Sequence, residues 1–127
     1  MRYLLDTHTL LWILQSPGKL AATVRRIVED PASTLMLSIA TPWEMAVKTN
    51  AGKLDAHNIL RDFERLAHSG YASLETKVSH VTSAGFLPLH HRDPFDRLIV
   101  AQALELDIPV LSRDKVFDLY GVKRIWD

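Results

Sequence analysis

Four carboxylic acids lie where the chain is expected to change between strand and helix. Asp6 ends one short apolar run, Asp114 follows another, and Glu44 and Asp96 lie in the predicted first turns of helices. In a parallel α/β sheet, such positions meet outside the carboxyl ends of the strands. Carboxylates gathered in one cleft repel each other, and a divalent cation removes that repulsion. Oxygen ligands without cysteine suit Mg²⁺ or Mn²⁺. Such an ion can lower the pKa of a bound water and stabilise the leaving oxygen of a phosphodiester.

Each acid also has a purely structural interpretation. Asp6 and Asp114 could be N-caps of the helices that follow them. Glu44 and Asp96 could be first-turn acids that interact with a helix dipole. Taken singly, capping is the commoner role of an acid at such a position. Their joint placement at one sheet edge is what favours a functional site.

The segment 91–114, HRDPFDRLIVAQALELDIPVLSRD, is expected to position two of these acids. Asp93 is a predicted N-cap, Pro94 the first helical residue and Asp96 the third. Residues 108–111 form a short apolar run of strand length, which ends before Asp114. Apolar residues at helical spacing predict a largely buried helix between them: Phe95, Leu98, Ile99, Ala103 and Leu106.

Strands and helices are predicted to alternate along the rest of the chain. Strands are expected at 3–5, 35–39, 72–74, 108–111 and 122–126. Helices are expected at 7–14, 20–30, from a Thr41 cap to about 52, from an Asp55 cap to 70, around 78–81, at 94–106 and as a short turn at 115–120. Strands one, two and four are continuous apolar runs, which predicts a parallel sheet covered by helices on both faces. The predicted class is an α/β three-layer sandwich in a single domain, 1–127.

Composition restricts the class of protein. The chain has 127 residues, of which 47% are hydrophobic and 24% charged, as in one soluble globular domain. No run reaches transmembrane length, and Asp6 and His8 interrupt the apolar N-terminus too early for a signal peptide. Cysteine is absent, which excludes disulfides and thiolate sites. These features favour the cytoplasm. A formal net charge of +0 lacks the strongly basic signature of a general nucleic-acid binder.

Histidine and tryptophan provide secondary candidates. The chain has six histidines, whose spacing matches no strong zinc motif; His8, close to Asp6, is the one of interest. The tryptophans are more typical of core or interface anchors than of base-stacking platforms: Trp12, Trp43 and Trp126. Lys48 lies one helical turn after Glu44, which predicts an ion pair or, alternatively, a phosphate contact.

Four segments in order resemble PIN-domain proteins of the VapC toxin type: YLLDTHTLLW, LSIATPWEMAVKTNAGKL, DPFDRLIVAQAL and VLSRD followed by KVF. The resemblance covers nearly the whole chain. It implies a PIN-like fold and a Mg²⁺- or Mn²⁺-dependent ribonuclease, with catalytic and metal-binding acids at Asp6, Glu44, Asp96 and Asp114. It also implies a small cognate antitoxin that blocks the site, and a homodimer. Asp93 is assigned mainly to capping.

The resulting hypothesis is a metal-dependent endoribonuclease, the toxin of a VapBC-like pair, which hydrolyses single-stranded or looped RNA through a metal-activated water. Because the net charge is neutral, RNA contacts are expected to be local, with candidates at Lys48, Arg92, Arg97, Arg113 and Lys115. One alternative is a non-catalytic PIN-like module that binds RNA or protein. Another is an aspartyl-phosphate phosphatase with Asp6 as nucleophile, although His8 stands where that chemistry needs a second acid.

Overall fold

The computed structural model describes residues 1–127 and contains one five-stranded sheet in the order β3-β2-β1-β4-β5. All four strand pairings are parallel, which confirms the predicted sheet. Leu4 in the central strand pairs with Met36 on one side and Val110 on the other. The strands are β1 (Arg2–Leu5), β2 (Thr34–Ser38), β3 (Tyr71–Leu74), β4 (Val110–Leu111) and β5 (Arg124–Ile125).

Seven α-helices and two 3₁₀ helices connect the strands. The α-helices are α1 (Thr7–Gln15), α2 (Ala22–Glu29), α3 (Ala40–Asn50), α4 (His57–Arg61), α5 (Phe63–Ala67), α6 (Val78–Phe86) and α7 (Pro94–Leu106). The 3₁₀ helices are Pro17–Lys19 and Lys115–Tyr120. None of the helices has the length and apolar character needed to cross a membrane.

The core has two layers, one on each face of the sheet, because the side chains of each strand point alternately to the two faces. Leu4 and Val110 pack on one face with α7, in a cluster that includes Ile99. Their neighbours Leu5 and Leu111 point to the other face and pack with residues of α1, α2 and α3. Successive side chains of a strand point to opposite faces, so a strand buried on both faces must be apolar throughout. This confirms the predicted three-layer α/β sandwich.

Helix α3 begins earlier than predicted, so Thr41 is not its cap. The hydroxyl of Ser38 accepts a hydrogen bond from the backbone N–H of Ala40 (3.1 Å), and the helix starts at Ala40. Thr41 is instead buried, with its hydroxyl against that of Thr7. Glu44 therefore lies beyond the first turn, and the helix-dipole interpretation of this acid is wrong.

The helix predicted from Asp55 to residue 70 is two short helices. Asp62 leaves the helical conformation (φ −104°, ψ 12°) and separates α4 from α5. Ile59 and Leu60 of α4 and Phe63 and Leu66 of α5 still pack against the same core cluster. The start of α7 also matches its prediction: Asp93 is the N-cap and accepts from the backbone N–H of Phe95 (2.9 Å).

Candidate active site

A cavity of about 430 Å³ opens at the carboxyl edge of the sheet and holds all four predicted acids. Asp6 follows β1, Asp114 follows β4, and Glu44 and Asp96 enter from α3 and α7. The topology therefore brings together residues that are far apart in sequence, as expected for the edge of a parallel sheet. The cavity is lined by nine residues: Asp6, His8, Trp12, Glu44, His91, Asp93, Asp96, Arg113 and Asp114.

Asp6 is both a helix cap and a buried cavity acid. One carboxylate oxygen accepts from the backbone N–H of Thr9 (2.9 Å), and the other accepts from the hydroxyl of Ser112. Burial raises the pKa of Asp6, and the hydrogen bonds from Ser112 and Thr9 oppose that rise. The structural and functional interpretations of this acid therefore do not exclude each other.

Ser112 is a site residue that the sequence analysis missed. Its hydroxyl donates to Asp6 and accepts from the backbone N–H of Asp114 (3.0 Å), so it links the acids at the ends of β1 and β4. It is fully buried. The available signal was a polar residue directly after an apolar strand and two positions before a candidate acid.

The site also opposes the ionisation of Asp96. Burial, followed by the charges of Asp93, Asp6, Glu44 and Asp114, raises the pKa of Asp96 to about 8. Because Asp93 already supplies the cap of α7, Asp96 is free to point into the cavity. A bound cation would reverse the electrostatic cost of ionising it.

His91 lies among these acids and was not singled out from the sequence. Its Nε2 is 2.9 Å from Asp96 Oδ2 and 3.3 Å from Asp114 Oδ2. Its Nδ1 accepts from the backbone N–H of Asp93 (3.2 Å), so in the neutral ring Nε2 carries the proton and faces the carboxylates. The sequence signal at this position was weak: a second histidine, His90, precedes it.

Glu44 is buried and has one unpaired oxygen. Oε2 accepts from the ammonium of Lys48, one turn later on α3, whereas Oε1 has no hydrogen-bond partner. Burial alone lowers the pKa of Lys48, but the hydrogen bond and charge of Glu44 outweigh it, and the pKa is raised. Lys48 is therefore a stable cation beside the cavity.

Of the five basic residues predicted to contact RNA, only some lie at the cavity. Arg113 lines the cavity, and Lys48 lies beside it. Arg92 and Lys115 are exposed and outside its lining. Arg97 is buried, and its guanidinium donates to backbone carbonyls around the end of α6, at Ala84, Leu87 and Pro88. The prediction that Arg97 contacts RNA is therefore wrong, because its N–H groups already donate to these carbonyls.

The donor set fits a hard divalent cation. Glu44 Oε1 is an orphaned buried oxygen, and the Asp96 carboxylate is destabilised by its neighbours. One ligand atom each from His91, Asp96 and Asp114 lie within 4.8 Å of one another. Because Nδ1 of His91 is an acceptor, its Nε2 suits donation rather than coordination. The carboxylate oxygens that line the cavity, from Asp6, Glu44, Asp96 and Asp114, would be the ligands of such an ion.

The PIN domain family model matches residues 3–123, and the chain belongs to this family. A solved structure of VapBC-1 from nontypeable Haemophilus influenzae matches with a TM-score of 0.68 and 20% identity, covering 98% of this chain and 97% of that one. VapBC2 from Rickettsia felis, bound to a DNA fragment from its promoter, matches with a TM-score of 0.71 and 14% identity over the full length of both chains. At these identities the likeness supports the fold. A search of curated proteins gave no significant match.

Proposed function

We propose that this protein is a Mg²⁺- or Mn²⁺-dependent endoribonuclease, the toxin of a VapBC-like pair. The observation that carries the proposal is the convergence of Asp6, Glu44, Asp96 and Asp114 on one cavity. Such a cluster is costly without a cation, and PIN-domain membership favours nuclease chemistry over a purely structural role.

The chain's own residues have separable tasks in this proposal. Asp6, Glu44, Asp96 and Asp114 would hold the ion, and Ser112 and Thr9 would fix the orientation of Asp6. When bound, the ion would supply an activated water and neutralise charge on the phosphodiester. Arg113, on the cavity wall, would orient the phosphate that is cut. No side-chain nucleophile is required.

The geometry disfavours the phosphatase alternative. A nucleophilic aspartate needs an accessible oxygen, but Asp6 is buried and both of its oxygens accept hydrogen bonds from the protein. His8, at the position of the missing second acid, is exposed. RNA cleavage by the purified protein distinguishes the nuclease from the non-catalytic alternative.

We also propose a small antitoxin partner and a homodimer. The two solved neighbours are named as VapBC structures, which supports the antitoxin. An arginine from that partner could replace the ion's charge by pairing bidentately with a carboxylate. For the homodimer, the N-cap residue Ile39 and the α3 residues Trp43 and Val47 form an exposed apolar stripe, one turn apart.

The test of the nuclease proposal is RNA cleavage by the purified protein. We expect cleavage of mixed single-stranded RNA with Mg²⁺ or Mn²⁺, and loss of cleavage with excess chelator. An Asp6→Asn preparation, purified in parallel, controls for contaminating nucleases. Full activity in chelator would disprove metal dependence, and binding without cleavage under every metal tested would favour the non-catalytic module.

A further inference from the structure

A second cavity, of about 200 Å³, adjoins the acidic one and has the opposite electrostatic character. The two cavities share His8, Trp12 and Glu44. The second one adds three lysines, Lys19, Lys48 and Lys53, and its one acid, Glu44, is already paired with Lys48. A cluster of carboxylates repels a polyanion, so a lysine-lined space beside it is where phosphate groups would be attracted.

The chain builds this cavity from three elements. Helix α1 forms one wall and α3 the other, and the 3₁₀ helix Pro17–Lys19 closes the end. After α3 the chain turns back at Gly52, whose φ of 74° is readily adopted by glycine. The backbone N–H of Lys53 then donates to the carbonyl of Lys48 (2.9 Å), and both lysines line the cavity.

Two of the lysines have no carboxylate partner. The ion pairs of the structure involve neither Lys19 nor Lys53. Lys19 Nζ lies 5.9 Å from the centre of the Trp12 ring, a cation–π distance. These ammonium groups are therefore available to an anionic ligand.

Trp12 stands on the wall between the two cavities. Its ring packs against Trp126 (5.6 Å between ring centres) and lies 6.0 Å from His8. Trp126 is buried, whereas Trp12 keeps part of its surface exposed to both cavities. A ring that is held by its neighbours loses little entropy when it stacks on a base. The expectation that the tryptophans are only anchors thus suits Trp126 better than Trp12.

We propose that this second cavity, which we call the lysine cavity, binds the nucleotides next to the cleaved phosphate of single-stranded RNA. Trp12 stacks on one base, and Lys19 and Lys53 bind the phosphates that follow. This inference rests on the proposed nuclease function of the acidic cavity. It selects a single strand because base faces are accessible for stacking only outside a duplex.

The lining favours a nucleic acid over a partner's peptide chain. Only three of its eleven lining residues are hydrophobic, which offers little to the apolar face of a helix. Lysines beside an aromatic ring, in contrast, are the usual composition of a single-strand binding groove. A partner chain in the lysine cavity is the competing outcome of the test.

The test measures RNA binding in an Asp96→Asn background, in which the proposed cleavage is abolished and the RNA stays intact. A labelled single-stranded oligoribonucleotide is titrated by fluorescence anisotropy over a series of salt concentrations. Lys19→Gln and Lys53→Gln are each expected to reduce the slope of log K against log salt by about 0.7. Lys123→Gln, at the opposite edge of the sheet beside Met1, is the matched control and should leave the slope unchanged.

Trp12→Leu is expected to weaken binding about 5- to 100-fold, and Trp12→Phe much less, because phenylalanine retains a stacking face. If Trp12→Leu does not fold, Trp12→Phe and the two exposed lysines still decide the question. Salt slopes for Lys19→Gln and Lys53→Gln that equal the slope of Lys123→Gln would overturn the proposal. If the wild type cleaves RNA but Lys19→Gln and Lys53→Gln leave the salt slope unchanged, only the proposed subsite is refuted. If the two variants reduce the slope but the wild type does not cleave RNA, only the proposed nuclease function is refuted.

Discussion

The imidazole of His91 lies against Asp96, with 2.9 Å between Nε2 and Oδ2. The backbone N–H of Asp93 occupies the other ring nitrogen, so His91 presents a proton to the acids. The ring therefore lies against two of the acids that are proposed to hold a cation.

His91→Ala should therefore destabilise the metal-free protein and increase its stabilisation by Mg²⁺. Nε2 lies within ion-pair distance of both carboxyl groups but forms no well-aligned hydrogen bond, so its loss should cost about 0.5–1.5 kcal/mol. Added Mg²⁺ should then raise the melting temperature of the variant more than that of the wild type, because His91 is the only ion-pair partner of Asp96. His90→Ala, which alters the adjacent exposed histidine, is the control. Equal Mg²⁺ shifts in all three proteins would contradict this role of His91.

Asp96→Asn separates the cavity role of Asp96 from a helix-dipole role. If Asp96 belongs to the carboxylate cluster, the variant should be as stable as the wild type or more stable without metal, because a like charge is removed. Mg²⁺ should stabilise it less, and RNA cleavage should fall by orders of magnitude. Asp93→Ala is the matched comparison, since it removes the actual cap at a cost of about 1 kcal/mol. An Asp96→Asn protein that is destabilised but cuts RNA at the wild-type rate would return Asp96 to the helix-dipole role.

The stability of the metal-free protein should fall as pH rises from about 4 to about 8. The pKa of Asp96 is about 8 in the folded protein, above the ordinary 3.8 expected in the unfolded chain. Between these values the folded state binds more protons, so the free energy of unfolding decreases with pH. Thermal melts in chelator across this range measure the slope. Asp96→Asn should reduce the slope and leave the contribution of Asp6, whose pKa is also raised, and saturating Mg²⁺ should flatten it. An equally steep slope in Asp96→Asn would assign it to another group.

Ser112→Ala should weaken both the fold and the site. The change leaves a buried oxygen of Asp6 without its donor, at a cost of about 1–3 kcal/mol. It should also raise the pKa of Asp6 further, because this hydrogen bond opposes the effect of burial. Denaturant unfolding and the Mg²⁺ concentration that gives half-maximal cleavage are the measurements. Ser79→Ala, whose hydroxyl bonds at the surface, should change neither.

Arg97→Gln should affect stability rather than RNA affinity. Its guanidinium is the donor for several carbonyls around the end of α6, and their loss should cost about 2–4 kcal/mol. RNA binding by the fraction that remains folded should keep the wild-type salt slope. A reduced slope with unchanged stability would restore Arg97 to the substrate contacts.

The sequence by itself was sufficient to predict the fold class and to predict that the four acids meet at one edge of the sheet. Continuous apolar strands predicted a sheet buried on both faces, and Leu4 and Leu5 indeed pack into opposite layers. Asp6 and Asp114 were placed at one edge because parallel strands end there. The capping pattern at Asp93 and Pro94 located α7 to the residue. These features depend on local periodicity and topology, which a single sequence contains.

Only the tertiary structure decided which side chains meet across that edge. Ser112 bonds Asp6 from 106 positions away, and His91 reaches Asp96 and Asp114 from a loop without a regular pattern. Arg97, a cation next to Asp96, was predicted to contact RNA. Its guanidinium instead donates to backbone carbonyls at the end of α6. Helix α3 starts at Ala40, two residues before the predicted first helical residue Pro42, where the backbone N–H of Ala40 donates to the hydroxyl of Ser38. Such contacts depend on side-chain direction and on the path of loops, which pattern and propensity do not determine.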